Sequence, residues 1–258
     1  RGAAIATSGD GSAGIMAQSI GGGGGDGRFG IGGAIALDPF FSTFASVLAG
    51  TGGEGGTGGD GQKVTVTNRS SLATRGLDSP GILAQSIGGG GGSNGFCVRG
   101  EILSQIREKI SVGSTKAASG QGREVTITSL APVISAQGTN SSGIIGQSIG
   151  GGGGISWITI NDVKQVDLSG STFNLGGQGG SRGDGGAVAI TAGSSPGIRP
   201  PAELTVAGPG ACGLIAQSIG GGGGILSNNA SPKSLIMSGA DASQGKGGDV
   251  KVKRHSTI

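Results

Sequence analysis

One phrase, Gly-Ile-x-Ala-Gln-Ser-Ile followed by five glycines, recurs with small changes four times along the 258-residue chain. Its glutamine and its final isoleucine mark equivalent positions in the copies. The glutamines are Gln18, Gln85, Gln147 and Gln217, and the isoleucines are Ile20, Ile87, Ile149 and Ile219. The repeat length is therefore about 62 to 70 residues. Self-similarity at a long, nearly constant period is typical of a repeat protein, in which each repeat stacks on its neighbours.

A second phrase lies between these copies and consists of a glycine-rich turn followed by a short alternating segment. The alternating segments are Val64-Thr-Val66, Val125-Thr-Ile127, Val188-Ala-Ile190 and Val250-Lys-Val252. Alternation with period two predicts strands with Val and Ile inward and Thr or Lys outward. The two phrases make 1–258 a single repeat array. Its units are approximately 1–63, 64–124, 125–187 and 188–249, and a further unit starts at 250–258.

The composition limits the core that such repeats can build. Glycine accounts for 63 of the 258 residues, and only 34% of the residues are hydrophobic. Glycine buries almost no side-chain surface and loses the most backbone entropy on folding, which argues against a thick globular core. A stack of short strands needs only a narrow file of inward side chains. We therefore predict an all-β fold, a parallel β-helix or β-solenoid with glycine-rich turns and polyglycine segments.

The number of coils per repeat has two solutions. A coil of about 20 to 24 residues would place three coils in each repeat and is our working estimate. The alternative is one large coil per repeat. With one coil, the four glutamines lie on adjacent coils and form an amide ladder, and the five-glycine runs pack side by side as polyglycine helices. With three coils, each glutamine is isolated in its own turn.

A variable stretch follows each five-glycine run. These stretches are 29–49, 96–112, 157–175 and 226–237. Segments such as 157–161 and 109–112 have the pattern of strands. Two segments also fit a helix: Ile102, Ile106 and Ile110 have helical spacing, and Asp38-Pro39 resembles a helix start. We predict strands in both, because the equivalent stretches of the other repeats fit a helix poorly.

These phrases resemble the glycine-rich passenger repeats of large bacterial autotransporters, surface proteins that are anchored by an outer-membrane β-barrel. The resemblance covers the whole chain, although Gly146 replaces the alanine of the phrase in the third copy. It implies a parallel β-helix, secretion to the surface of Gram-negative cells, and a role in adhesion, biofilm formation or a surface coat. The β-barrel itself is not within these residues, and we expect the sequence to be a window of a longer array.

Charge and cysteine content bear on partners and bonding. The net charge is +3, carried mainly by separate Lys and Arg residues rather than by a basic stripe with interleaved aromatic residues. We therefore expect no nucleic-acid partner. No apolar run reaches the length of about 18 residues that a membrane span needs. Cys97 and Cys212 do not occupy equivalent repeat positions. We predict that both are buried as small apolar residues, and a disulfide is the alternative.

Asp60 is the one candidate metal ligand. Residues 55–60 match the start of a calcium-binding nonapeptide, but Gln62 stands where an apolar residue is required and no tandem copy follows. The incomplete motif argues against a metal site. We expect Asp60 and the equivalent Asp184 to accept hydrogen bonds from backbone amides of the turn instead.

The inventory of catalytic groups is short. His255 has no nucleophile near it in the sequence, and Asp162 and Asp167 are the closest pair of carboxylates that a β-helix hydrolase would need. Nothing in the other repeats extends that pair into a cluster. We predict no catalytic residue and no cofactor.

The sequence therefore predicts a structural or adhesive extracellular repeat protein, which forms a stalk, fibre or filament by stacking of β-coils. Its predicted partner is itself, through end-to-end or lateral association. The alternative is an adhesin passenger that binds a host surface or glycan through its variable loops. A β-helix polysaccharide lyase or hydrolase is the remote alternative.

Overall fold

A computed structural model describes residues 4–22, 24–32, 45–51, 59–89, 91–99, 103–112, 120–161, 165–167, 172–175, 182–193, 202–228, 234–237 and 244–255. Within these residues the chain is all-β, with 21 strands and no helix. In this described part we accordingly find no helix that is long and apolar enough to cross a membrane.

Equivalent strands recur in each repeat. Repeats are counted here so that the alternating strand that starts at 64, 125, 188 or 250 closes a repeat, whereas the sequence units above begin with that strand. The first repeat contains β1 (Ala4–Thr7), β2 (Ile15–Ile20), β3 (Gly24–Gly32), β4 (Ala45–Thr51) and β5 (Val64–Asn68). The second contains β6 (Ser71–Thr74), β7 (Ile82–Ile87), β8 (Gly91–Arg99), β9 (Leu103–Val112) and β10 (Val125–Ser129). The third contains β11 (Val133–Gln137), β12 (Ile144–Ile149), β13 (Gly153–Asn161), β14 (Gln165–Asp167), β15 (Thr172–Leu175) and β16 (Val188–Gly193). The fourth contains β17 (Glu203–Ala207), β18 (Leu214–Ile219), β19 (Gly223–Asn228), β20 (Ser234–Met237) and β21 (Val250–His255).

Corresponding strands of successive repeats pair in parallel and build five sheets. We number the sheets in the order in which the chain visits them. Sheet 1 is β1-β6-β11-β17, sheet 2 is β2-β7-β12-β18, sheet 3 is β3-β8-β13-β19, sheet 4 joins β4, β9, β14, β15 and β20, and sheet 5 is β5-β10-β16-β21. Each repeat therefore forms one layer that contributes to all five sheets.

The register overturns the estimate of about 20 to 24 residues per coil. Val64 pairs with Val125, 61 positions away, and Gln147 pairs with Gln217, 70 positions away. Partners in the other sheets are separated by distances within the same range. Successive passes of the chain through a sheet are therefore one whole repeat apart, as in the alternative of one large coil per repeat.

The main core lies between sheets 1, 2 and 5. It includes Val64, Leu72, Ile82, Val125 and Ile134, all of which are buried. A smaller cluster lies on the opposite face of sheet 2, where Leu83 and Ile145 pack with Ile155 and Trp157 of sheet 3. Sheet 2 is thus buried on both faces in the inner layers, which explains why its phrase reads as a nearly continuous apolar run rather than an alternating one.

The alternating phrase behaves as predicted in the inner layers. In β5, Val64 and Val66 are buried and the threonines between and after them are exposed. β10 and β16 show the same alternation of more and less buried residues. In β21 every residue is exposed, including Val250 at 46% and Val252 at 49%, because β21 pairs with β16 alone.

The variable stretches are strands where the structure describes them. Residues 157–161 belong to β13, and β9 covers 103–112, so Ile106 and Ile110 lie in a strand and not in a helix. Ile102 lies outside the described residues. Asp38-Pro39 lies outside the described residues. Cys212 is a free, exposed thiol, so its predicted burial is wrong. The backbone of Cys97 belongs to β8, and the predicted burial of its side chain lies outside what the structure describes.

Candidate functional site

The four recurring glutamines form one hydrogen-bonded ladder across sheet 2. The Nε2 of Gln18 donates to the Oε1 of Gln85 at 2.6 Å. Gln85 donates in the same way to Gln147 at 2.7 Å, and Gln147 donates to Gln217 at 2.8 Å. Gln85 and Gln147 are fully buried. Equivalent phrases therefore lie on adjacent layers, and the amide ladder expected for one coil per repeat is present.

The strand pleat positions this ladder. Ile82 and Ala84 belong to the main core, whereas Leu83 faces the smaller cluster with Trp157. Because side chains alternate between the faces of a strand, Gln85 shares the face of Leu83. The amide chain thus runs through an apolar cluster, where a hydrogen bond is strong and an unmet one is costly.

The isoleucines that end the phrase lie in register at the end of the same sheet. Ile87 pairs with Ile20 on one side and with Ile149 on the other, and Ile149 pairs with Ile219. Ile87 and Ile149 are fully buried. The phrase thus places a polar file and an apolar file side by side along the stack.

The serine between each glutamine and isoleucine connects sheet 2 to the glycine-rich turn that leads into the sheet 5 strand. Each serine hydroxyl accepts a backbone N–H from that turn. The donor and acceptor pairs are Gln62 and Ser19, Arg123 and Ser86, Gly186 and Ser148, and Gly248 and Ser218, at 2.7 to 2.9 Å. The hydroxyls of Ser148 and Ser218 also donate to carbonyls of the preceding layer, Arg123 and Gly186. The serine file therefore joins consecutive layers as well as two sheets.

Glycine backbones touch where each variable stretch leaves and rejoins sheets 2 and 5. An added Cβ on the first glycine of each five-glycine run would overlap the backbone of the following glycine-rich turn. The contacting pairs are Gly21 with Gly59, Gly88 with Gly120, Gly150 with Gly183, and Gly220 with Gly245. We call these four contacts the glycine neck. It separates sheets 1, 2 and 5 from sheets 3 and 4.

The five-glycine runs turn at the neck and then enter sheet 3. Their second residues have φ near +80°, as in Gly89 and Gly151, a conformation that glycine adopts without steric penalty. Their last two residues begin the strands of sheet 3, rather than continuing as a polyglycine helix. Runs of adjacent layers do lie side by side, because Gly152 donates to the carbonyl of Gly88 and Gly222 to that of Gly150, both at 2.6 Å.

Asp60 accepts a backbone hydrogen bond from the next layer. The N–H of Gln121 donates to its carboxylate at 2.9 Å, and Asp184 accepts in the same way from Lys246 at 2.8 Å. This bond, assisted by the guanidinium of Arg123 and opposed by burial, holds the pKa of Asp60 below its ordinary value. The ionised carboxylate therefore stabilises the fold at neutral pH, and the contribution is lost as the pH falls through that lowered pKa.

The remaining candidates lie apart from the ladder. Among the described residues, no three His, Cys, Asp or Glu side chains are grouped as metal ligands. His255 is exposed at the end of β21. Asp167 lies in β14 opposite Gln105, and Asp162 is outside the described residues.

Sequence reasoning missed the serine file and the glycine neck. The serines recur as regularly as the glutamines, so their repetition was the available signal. The neck joins glycines that stand on either side of a whole variable stretch, and no local pattern connects them.

Comparisons with protein-family models, with curated protein sequences and with solved structures find no match to this chain.

Proposed function

We propose that the five sheets are the faces of a β-solenoid, and that this solenoid is a structural, non-enzymatic body of an extracellular surface protein. The in-register pairing of every repeat with the next, across all five sheets, is the observation that carries the proposal. The recurring glutamines and serines support it, because both are engaged in bonds between layers or between sheets. The resemblance to autotransporter passengers supports the location at a bacterial cell surface.

The height of the stack and the length of each layer indicate a short, wide solenoid. Layers of a β-stack rise by about 4.8 Å each, so four layers span only about 19 Å. A layer here is roughly three times as long in sequence as the coil first estimated. The chain thus gains width and lateral surface rather than length. A long stalk or fibre would need many such repeats or association of many chains.

The glycine neck favours adhesion as a second candidate function. Sheets 1, 2 and 5 contain both recurring phrases, whereas the described parts of the variable stretches belong to sheets 3 and 4, on the other side of the neck. A constant scaffold therefore carries four variable segments on one side. This is the arrangement expected of a surface that recognises a glycan or a host protein through its loops.

Deleting one whole repeat tests the solenoid. Removal of residues 82–143 joins Gly81 to Ile144, and both flanking phrases keep their register. We expect the shortened chain to fold and to unfold cooperatively with three layers, because each layer contacts only its neighbours. Circular dichroism and urea unfolding measure this.

The matched control removes residues 82–112, half a repeat, and deletes one strand each from sheets 2, 3 and 4. We expect this variant to be degraded by trypsin under conditions that leave the whole-repeat deletion intact. Equal damage in the two deletions would contradict the assignment of one layer to one repeat.

Binding measurements separate the two functions. For a purely structural body, the purified chain should show no saturable binding to a panel of host-surface glycans and matrix proteins. For the adhesin, binding should saturate and should disappear when residues 93–119 are replaced by residues 225–244 of the last repeat, with the fold retained. Saturable binding that depends on residues 93–119 would overturn the purely structural proposal.

A further inference from the structure

We propose that the outward face of sheet 5 binds ice, through a regular grid of threonine hydroxyl and methyl groups. The positions of this grid are the outward residues of β5, β10 and β16, namely Thr65, Thr67, Thr126, Thr128, Ala189 and Thr191. We call them the threonine face. Ice binding goes beyond the proposed structural role and requires only sheet 5, whether or not the five sheets close into a solenoid.

The strand pattern directs this face away from the core. In β5, β10 and β16 the valines and isoleucines are buried, and the residues between them are more exposed. Because side chains alternate between the two faces of a strand, all six positions lie on the outer side of sheet 5. Layers stack along the strand edges, so a further layer would extend the threonine face and would not cover it.

The pairing of sheet 5 places the threonines of neighbouring layers side by side. Thr126 pairs with Thr65. Thr128 pairs with Thr67 on one side and with Thr191 on the other. Equivalent side chains are therefore about 4.8 Å apart between strands, and successive outward side chains are about 6.6 Å apart along a strand. These two spacings are close to the repeat distances of water oxygens on a prism face of ice. Three coils per repeat would instead have separated the equivalent threonines.

Four of the five threonine hydroxyls are available to water. Thr126 donates to the carboxylate of Glu124 at 2.8 Å. The hydroxyls of the other four have no hydrogen-bond partner among the residues that the structure describes. A threonine hydroxyl both donates and accepts hydrogen bonds, and branching at Cβ restricts its rotation about χ1. The bonding positions are thus largely ordered before water binds, which lowers the entropic cost of binding an ordered lattice.

The threonine face carries no charge, which suits a neutral lattice. At the start of the strands, Lys63 forms an ion pair with Glu124 at 3.1 Å. In the layer after β16, Lys251 and Lys253 take the outward positions and bound the face on that side. The six positions include no aromatic residue and no arginine, which are the usual anchors of protein interfaces and the stacking partners of planar ligands. Hydroxyl and methyl groups at lattice spacing fit ordered water better than either kind of partner.

Incorporation of the full chain into a slowly growing ice crystal measures the binding. The wild-type chain should be enriched in the ice fraction relative to serum albumin, which the crystal excludes. Thr128→Tyr places a bulky ring at the centre of the face, between Thr67 and Thr191, and should reduce this enrichment by at least about fivefold. Thr205→Tyr makes the same change at an exposed, outward position of sheet 1 and is the matched control, with enrichment like that of wild type.

Ala189→Thr tests the grid by completing it. Ala189 pairs in register with Thr126 and is the one position of the threonine face without a hydroxyl. Threonine is favoured in strands, so the fold should persist. We expect about two- to tenfold more of this variant than of wild type in the ice fraction, because the substitution adds one hydrogen-bonding group at a lattice position.

Exclusion of the wild-type chain from ice, an equal loss in the two tyrosine variants, or no gain from Ala189→Thr would each overturn the proposal. Circular dichroism shows whether the variants fold. If Thr128→Tyr does not fold, the enrichment of wild type and the gain from Ala189→Thr decide the question.

Adsorption to crystalline cellulose that Thr128→Tyr abolishes, without enrichment in ice, would overturn ice binding in favour of a glycan site. None of these outcomes bears on the whole-repeat deletion, which tests the proposed solenoid separately.

Discussion

Replacing Gly150 by alanine should destabilise the fold by more than about 4 kcal/mol, or prevent folding. The added Cβ would overlap the carbonyl group of Gly183 across the glycine neck, well inside the 3.0 Å that real Cβ atoms keep. The carbonyl carbon and oxygen of Gly183 belong to the backbone, so no side chain can rotate away to relieve the overlap. The shift of the urea unfolding midpoint relative to wild type measures the effect.

Gly213→Ala is the matched control for this substitution. An added Cβ there would lie 3.7 Å from Leu204 and 3.9 Å from Val206, which is ordinary van der Waals contact. We expect its stability to stay within about 1 kcal/mol of wild type, since alanine also lowers the entropy of the unfolded chain. Similar stabilities for the two variants would show that the neck is not a close backbone contact.

Replacing Gln85 by leucine should destabilise the chain by about 2 to 5 kcal/mol. The substitution removes both the acceptor of Gln18 and the donor of Gln147 in a fully buried part of sheet 2. Leucine is apolar and similar in size, so the loss reflects polar groups deprived of partners rather than a large cavity. Chemical unfolding and amide hydrogen exchange in sheet 2 measure it.

Two further variants separate the loss of the ladder from the effect of leucine itself. Gln137→Leu changes an exposed glutamine and should alter stability by less than about 0.5 kcal/mol. Leucine at all four ladder positions should cost much less than four times the single substitution, because no amide then lacks a partner. Simple additivity over the four positions would argue against a cooperative ladder.

The strands were largely predictable because their signals are local. Alternation over a few residues led to β5, β10 and β16 with their buried valines and isoleucines, and the amino-acid composition alone argued for a narrow core. The isoleucine spacing in 102–110 was ambiguous on its own, and comparison with the other repeats resolved it correctly for Ile106 and Ile110, which lie in the strand β9.

The pairing distance was not predictable from local signals. The entropy of closing a loop grows only with the logarithm of its length, so partners about 22 and about 66 residues away differ by less than about 1 kcal/mol in this respect. A strand pattern specifies which face is buried but not which other strand lies beside it. For that reason the estimate of three coils per repeat was wrong, although equivalent residues of neighbouring repeats do pair in register.

The sequence by itself determined that the chain is a repeat array, that its recurring phrases are strands, and which residues are equivalent from one repeat to the next. These properties follow from periodicity, which comparison of the repeats displays directly. Only the tertiary structure decided that equivalent residues touch, so that Gln85 bonds to Gln18 and Gln147. It also decided that Gly150 meets Gly183, because packing of two backbones without an intervening Cβ depends on the path of the whole variable stretch between them.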